Sequence, residues 1–257
     1  MPTLIRYRGI IYGPVQSRRL GISLGINLLP PERKICPFNC VYCECGDTTE
    51  LVEHVAEDAA AGRSFPSVQQ VHAAVQTALK QHQKINAICF SGHGEPTLHP
   101  SFPEIVQTVH DLRNLHHPAA NIGVFSSAAL IKHPRPRAGI DLCDLRMLKL
   151  DAADEQTFYA IDRPAPNVHI AAIIDELARM PAVIIQTCLI DGPVQNIRGE
   201  PWEALVQAIA TIQPHYVQLY AIDRPTPEAW VQKVPHETVV ARAKEMQART
   251  GIEVDAY

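Results

Sequence analysis

The sequence predicts an α/β protein in which parallel strands alternate with outer helices. Three observations predict it: six short segments apolar on both faces, amphipathic segments of helical period between them, and polar or glycine residues directly after the strand segments. With right-handed crossovers, such alternation builds either an open barrel or a doubly wound sheet. In both, ligands collect beyond the carboxyl ends of the strands.

The first strand is expected at Ile22 to Leu28, and a cysteine-rich loop follows it. Val68, Val71, Val75 and Leu79, at three- and four-residue steps, predict a helix. The second strand, Ile85 to Phe90, runs into Ser91-Gly-His-Gly-Glu-Pro-Thr-Leu-His-Pro100, and the third, Asn121 to Phe125, into Ser126 and Ser127. Leu145 to Leu150 is the fourth; it carries Lys149 and precedes Asp151. Val168 to Met180 has helical period, then Val183 to Leu189 forms the fifth strand, before Asp191-Gly192. Helical patterns at Trp202 to Ile212 and Thr238 to Met246 flank the sixth strand, Tyr216 to Tyr220, which leads to Asp223-Arg-Pro225. Polar residues therefore concentrate on one rim. The pentapeptide AIDRP occurs at Ala160 to Pro164 and again at Ala221 to Pro225, too short for a duplicated domain and expected to form two rigid loops whose Asp and Arg hold each other.

One domain over residues 1–257 is expected, with 1–21 as an N-terminal extension and 251–257 as a closing strand. Apolar residues make up 46% and charged residues 19%, so the chain can bury a sizeable core. A net charge of −4 argues against a broad phosphate-binding surface and hence against nucleic acid as a partner. No leader pattern and no long apolar run is visible, which predicts a soluble, cytoplasmic protein with no membrane partner.

Four of the seven cysteines fall in KICPFNCVYCECG, between Cys36 and Cys45. Packed so tightly in a chain without a leader, they read as a metal or redox site and not as a disulfide framework. Cys36, Cys40 and Cys43 have C-x3-C-x2-C spacing, which suits an iron-sulfur cluster or zinc. Only Glu44 separates Cys45 from Cys43, too little for both sulfurs to take adjacent tetrahedral positions easily. Three ligands and one open position is the simpler reading.

CPFNCVYC resembles the signature of the radical S-adenosylmethionine (radical SAM) superfamily, including the aromatic Tyr42 before the last cysteine. Gly92-His-Gly-Glu-Pro96, following a strand, resembles the superfamily's GGEP-type motif, with His93 where the family often has glycine or asparagine. The likeness runs on through YGPVQSRRLGISLGINLLP, FSGHGEPTLHP, LKLDA and YVQLYAIDRP, and points to a little-characterised group of iron-sulfur oxidoreductases related to the wyosine-type tRNA enzymes. It implies a partial (βα)6 TIM-like barrel. It also implies two cofactors: a 4Fe-4S cluster on Cys36, Cys40 and Cys43, and S-adenosylmethionine on the fourth iron. Reductive cleavage of S-adenosylmethionine to a 5′-deoxyadenosyl radical would then lead to hydrogen abstraction from a small or medium-sized substrate. A flavodoxin- or ferredoxin-type protein would supply the electron.

Carried over by position, the resemblance gives Tyr42 the adenine, and Gly92, Gly94 and Glu95 the methionine amine. Ser126, Ser127, Lys149 and Asp151 receive ribose or carboxylate. Capping by the two serines and an ion pair between Lys149 and Asp151 are the structural alternatives. Arg18, Arg19, Arg163 and Arg224 are candidate substrate contacts, since guanidinium groups clamp carboxylates and phosphates. No catalytic acid or base is singled out: His93 and His99 read as scaffold, and Cys89 and Cys188 as buried apolar residues. The alternatives are a tRNA-modifying enzyme of wyosine type and a non-catalytic iron-sulfur or zinc protein.

Overall fold

The computed structural model describes residues 9–54 and 65–257. Strand β1 (Ile11–Ser17) turns back into β2 (Gly21–Ile26), and β3 (Ile35–Cys36) pairs with β4 (Glu50–Leu51) under the cysteine loop. Helix α1 (Val68–Gln81), capped by a reciprocal Ser67–Gln70 box, leads to β5 (Ala87–Phe90). Then follow α2 (Phe102–His116), β6 (Asn121–Ser126), α3 (Pro134–Asp141), β7 (Leu145–Lys149), α4 (Glu155–Ile161) and α5 (Ile170–Ala178). The chain continues through β8 (Val183–Asp191), α6 (Gly199–Ile212), β9 (Tyr216–Ala221), β10 (Gln232–Lys233), α7 (His236–Thr250) and β11 (Val254–Ala256).

The main sheet runs β1-β2-β5-β6-β7-β8-β9-β11, with β10 on β8. Pairing is parallel from β2 to β11, and antiparallel at the β1–β2 hairpin and at β10. This is the expected α/β architecture of parallel strands with outer helices. Helix-facing residues of the strands join a large core with side chains such as Trp202, Phe102 and Leu205. On the opposite face, Ala87, Cys89, Met147 and Ile184 pack with Leu145 and Tyr216 near the amino ends of the strands. Among the described residues no helix is long and apolar enough to cross a membrane.

Several boundaries depart from the sequence reading, among them the start of β5, the end of β8 and both ends of α7; three differences bear on the site or its frame. The first parallel strand stops at Ile26 because the Asn27 side chain folds back, donating to the Leu29 carbonyl at 2.9 Å and accepting from the Leu29 amide at 3.3 Å. The helix expected over 168–180 is confined to 170–178. Within residues 1–21, β1 is an additional edge strand: its Pro14 reads as a turn residue, but an edge with a register shift between Tyr12 and Val15 tolerates it.

Candidate functional site

The cysteine loop is held by backbone bonds to both of its neighbours. On one side, the Glu95 amide donates to the Ile35 carbonyl at 3.0 Å, and Ile35 bridges to Gly94. On the other, Asn39 and Val41 amides each donate at 2.9 Å to Asp162 and Ile161, and Ala165 donates back to Pro37 at 2.8 Å. Phe38, 2% exposed, fixes the loop from below by an edge-to-face contact with Phe158 at 5.3 Å. The glycines of the GHGEP segment are explained by this packing. At Gly94 (φ +128°) a Cβ would sit 1.9 Å from the Ile35 carbonyl oxygen, and at Gly92 (φ +136°) 2.5 Å from Asn27 Oδ1.

Cys36, Cys40, Cys43 and Cys45 all line a cavity of about 360 Å³. So do Tyr42, Gly94, Glu95, Ser126, Ser127 and Lys149, with Arg18 and Arg19 on the wall formed by the first hairpin. Gly92, Asp151, Arg163 and Arg224 stand outside it. Gly92 packs on Asn27 and accepts from the Cys45 thiol at 3.4 Å, whereas Arg224 lines an adjoining cavity of about 370 Å³.

Buried Lys34, 3% exposed, donates to the Gly46 carbonyl at 2.7 Å and lies beside the thiols. Burial opposes its charge, yet the facing Cys43, Cys36 and Cys40 hold its pKa above the ordinary lysine value. Burial pushes the Cys36 thiol up to about 12, against the pull of Lys34, and raises Cys40 strongly as well. Cys43 is lowered well below the usual thiol range, first by a hydrogen bond with Cys45 and then, against burial, by Lys34. Among the described residues no group of three or more His, Cys, Asp or Glu is placed to hold a single metal ion. A cubane cluster instead takes each thiolate on a separate iron, so its ligands stand farther apart.

The Glu95 carboxylate is 2% exposed and largely engaged within the protein. Oε2 accepts from the Ser127 amide at 2.6 Å, and Oε1 from the Thr97 amide at 3.1 Å and hydroxyl at 2.7 Å. Three of about four lone-pair positions are therefore used, which leaves room for one further donor. Ser126 and Ser127 hydroxyls accept from the amides of Ala128 and Ala129 at 3.2 and 3.4 Å and hold the turn after β6.

Lys149 donates to the Tyr42 hydroxyl at 2.8 Å and pairs with Asp151 and, at 2.6 Å, with Asp162. Burial works against its charge, but Asp162 and then Cys40 outweigh that and raise its pKa. Tyr42 donates to Asp151 Oδ2, while Asp151 Oδ1 accepts from the Cys188 amide at 2.7 Å. The ion pair between Lys149 and Asp151 is thus formed, and Asp151 lies behind Tyr42. The two AIDRP loops do not close on themselves as expected. Asp162 serves Lys149 and Asp223 pairs with Arg18 and Lys233, while Arg163 meets Glu228 at 2.6 Å and Arg224 meets Glu44 at 2.7 Å. The aspartates are used to assemble the site from separate elements. His93 and His99 are both buried, and Cys89 and Cys188 lie in strand interiors at 2% and 0% exposure.

Sequence reasoning missed Lys34, Asn27, Asp162 and Asn196. Asn196 is fully buried and donates to the Asp151 and Cys188 carbonyls at 2.9 and 2.8 Å, tying two strand ends together. Only Lys34, two residues before the first cysteine, left a local signal. Asp162 and Asn196 act on partners remote in sequence, and Asn27, besides closing on Leu29, accepts from the His93 amide at 3.0 Å.

No family model matches the chain. Among curated relatives, a protein named GTPase Obg from Brachyspira hyodysenteriae is 25% identical over 95% of this chain, which spans 34% of that protein. A UPF0026 protein of Helicobacter pylori is 28% identical over 84% of this chain and 67% of its own length. Solved structures with the same fold include TYW1 with a lysine-pyruvate adduct bound (TM-score 0.56, 15% identity, 90% of this chain and 74% of that one). A radical SAM methyltransferase from Sphaerobacter thermophilus gives a TM-score of 0.58 at 18% identity, over 91% of this chain and 65% of that one. Coproporphyrinogen III oxidase from Escherichia coli, a radical SAM enzyme, gives 0.51 at 12% identity, over 84% and 50%. The chain therefore has the TIM-barrel-like fold of the radical SAM enzymes, and UPF0026 proteins are among its sequence relatives.

Proposed function

We propose that the chain is a radical SAM enzyme in which Cys36, Cys40 and Cys43 hold a 4Fe-4S cluster with one open iron. The observation that carries this reading is the meeting of three thiols from one loop and Gly94–Glu95 at one cavity, with buried Lys34 beside the thiols outside its lining. When bound, the cluster supplies the electron for reductive cleavage of S-adenosylmethionine, whose product takes hydrogen from the substrate. Lys34 compensates the thiolate charge, and the spare acceptor position on Glu95 suits the cofactor's ammonium. Tyr42, oriented by Lys149, forms the wall beside the adenine, and Ser126 and Ser127 offer hydroxyls to ribose. Seven free thiols fit a reducing compartment such as the cytoplasm, and a flavodoxin- or ferredoxin-type protein would supply the electron.

Two other readings have less support. The GTPase name of one relative does not carry over, because the sequence has no Gly-x4-Gly-Lys-Ser/Thr loop. A tRNA-directed reaction would need a basic surface, which a net charge of −4 disfavours, and Arg18 is paired with Asp223. The test is chromatography of S-adenosylmethionine incubated with the reconstituted, dithionite-reduced chain. Slow release of 5′-deoxyadenosine without substrate is expected; intact S-adenosylmethionine after prolonged incubation with a verified cluster would favour an electron carrier.

A further inference from the structure

Most charges on the cavity wall are already matched. Arg18 pairs with Asp223, Lys149 with Asp151 and Asp162, and Glu44 with Arg224, while Glu95 accepts from Ser127 and Thr97. Arg19 differs. It sits in the turn between β1 and β2, and its guanidinium carbon lies 5.0 Å from the Tyr220 ring centre, 5.7 Å from Phe125 and 6.0 Å from Tyr257. Its Nη1 is buried with no hydrogen-bond partner, and among the described residues no carboxylate pairs with the group. Aromatic faces attract the cation but do not satisfy N–H donors lying in its plane. A buried donor left without an acceptor costs stability, and such exceptions need an explanation.

Building on the reading above, we infer that Arg19 anchors an oxyanion of the substrate, a carboxylate or a phosphate, in the cavity lined by the three thiols. The planar fork of a guanidinium gives two parallel N–H···O bonds to either group. Three rings already hold the fork, so little orientational freedom is lost when an anion docks. Arg135 on α3 lies outside the cavity, is 55% exposed at the side chain and is neutralised by Glu104, which makes it a control.

The test uses the full chain without its cluster, titrated calorimetrically with inorganic phosphate and, separately, with acetate at constant ionic strength. One saturable site is expected for at least one anion, and whichever binds more tightly identifies the oxyanion. Arg19→Gln should weaken it by about ten- to a hundredfold, the range for a hydrogen bond to a charged group, while Arg135→Gln stays near wild type. Arg19→Lys, which keeps the charge and loses the fork, should fall between them and carries the test if circular dichroism finds Arg19→Gln unfolded. No saturable site in the wild type, or equal binding by the folded Arg19 variants, would overturn the inference. So would a loss of S-adenosylmethionine affinity in reconstituted Arg19→Gln, since the anion would then be the cofactor's own carboxylate. Anion binding through Arg19 in a chain that loads no iron would instead sink the cluster reading and leave the oxyanion site standing.

Discussion

At Lys34 one buried ammonium faces three thiols that burial alone would keep protonated. Forming a cluster there needs thiolates, and a fixed positive charge lowers the cost of placing them in a low-dielectric site. Lys34→Met should therefore weaken iron loading by about ten- to a hundredfold in affinity, as loss of a group supporting metal ligands commonly does. Iron per chain after anaerobic reconstitution measures this, and wild-type loading would mean that the lysine only ties down Gly46. The contrast with Glu95 shows what is legible at this scale. Spacing identifies the thiols as a set, because ligand geometry is written in sequence intervals. It does not reveal that Glu95 spends most of its acceptor capacity within the protein, on Thr97 and on Ser127, the latter thirty-two residues away.

Elements rather than single residues fix the GHGEP segment. His99, just after the short 3-10 turn Pro96–Leu98, meets the Pro66 carbonyl through Nε2 at 2.8 Å and accepts from the Ser101 amide through Nδ1 at 3.0 Å. Those two bonds select the neutral Nε2–H tautomer, since a proton on Nδ1 would point at another donor. Burial lowers its pKa, in agreement, although the Pro66 carbonyl opposes the shift. The unfolded chain thus binds the proton more readily, so stability from this group is present above about pH 6.5 and is lost as pH falls below it. His99→Ala should cost about 1–3 kcal/mol near neutral pH. It should also flatten the fall in stability between about pH 7.5 and about pH 5.5, read from urea unfolding at each pH. An unchanged slope would remove His99 from the account. Strand and helix positions were legible because apolar period is local; ends set by side chains, such as Asn27 on β2, were not.

Across the whole molecule, alternating segments predicted the parallel sheet, and its polar rim became the cavity wall. The first hairpin was hidden by Pro14, yet it contributes Arg18 and Arg19, which reach Asp223, Tyr220 and Tyr257 at the other end of the sheet. Such a contact between the first and last strands has no sequence interval to betray it. Both AIDRP loops likewise read as self-contained, and the first loop's backbone bonds to the cysteine loop, with the ion pairs both loops make elsewhere, emerge only once the sheet brings strand ends together. The central claim is a cluster on Cys36, Cys40 and Cys43 with an iron open to S-adenosylmethionine. Its most direct measurement is electron paramagnetic resonance of the reduced, reconstituted full chain before and after S-adenosylmethionine, on the wild type and on Ala variants of Cys36, Cys40, Cys43 and Cys45. The account predicts a cluster signal that changes with S-adenosylmethionine in the wild type and in Cys45→Ala, and no cluster in the other three. A cluster lost in Cys45→Ala, or a wild-type signal indifferent to S-adenosylmethionine, would contradict it.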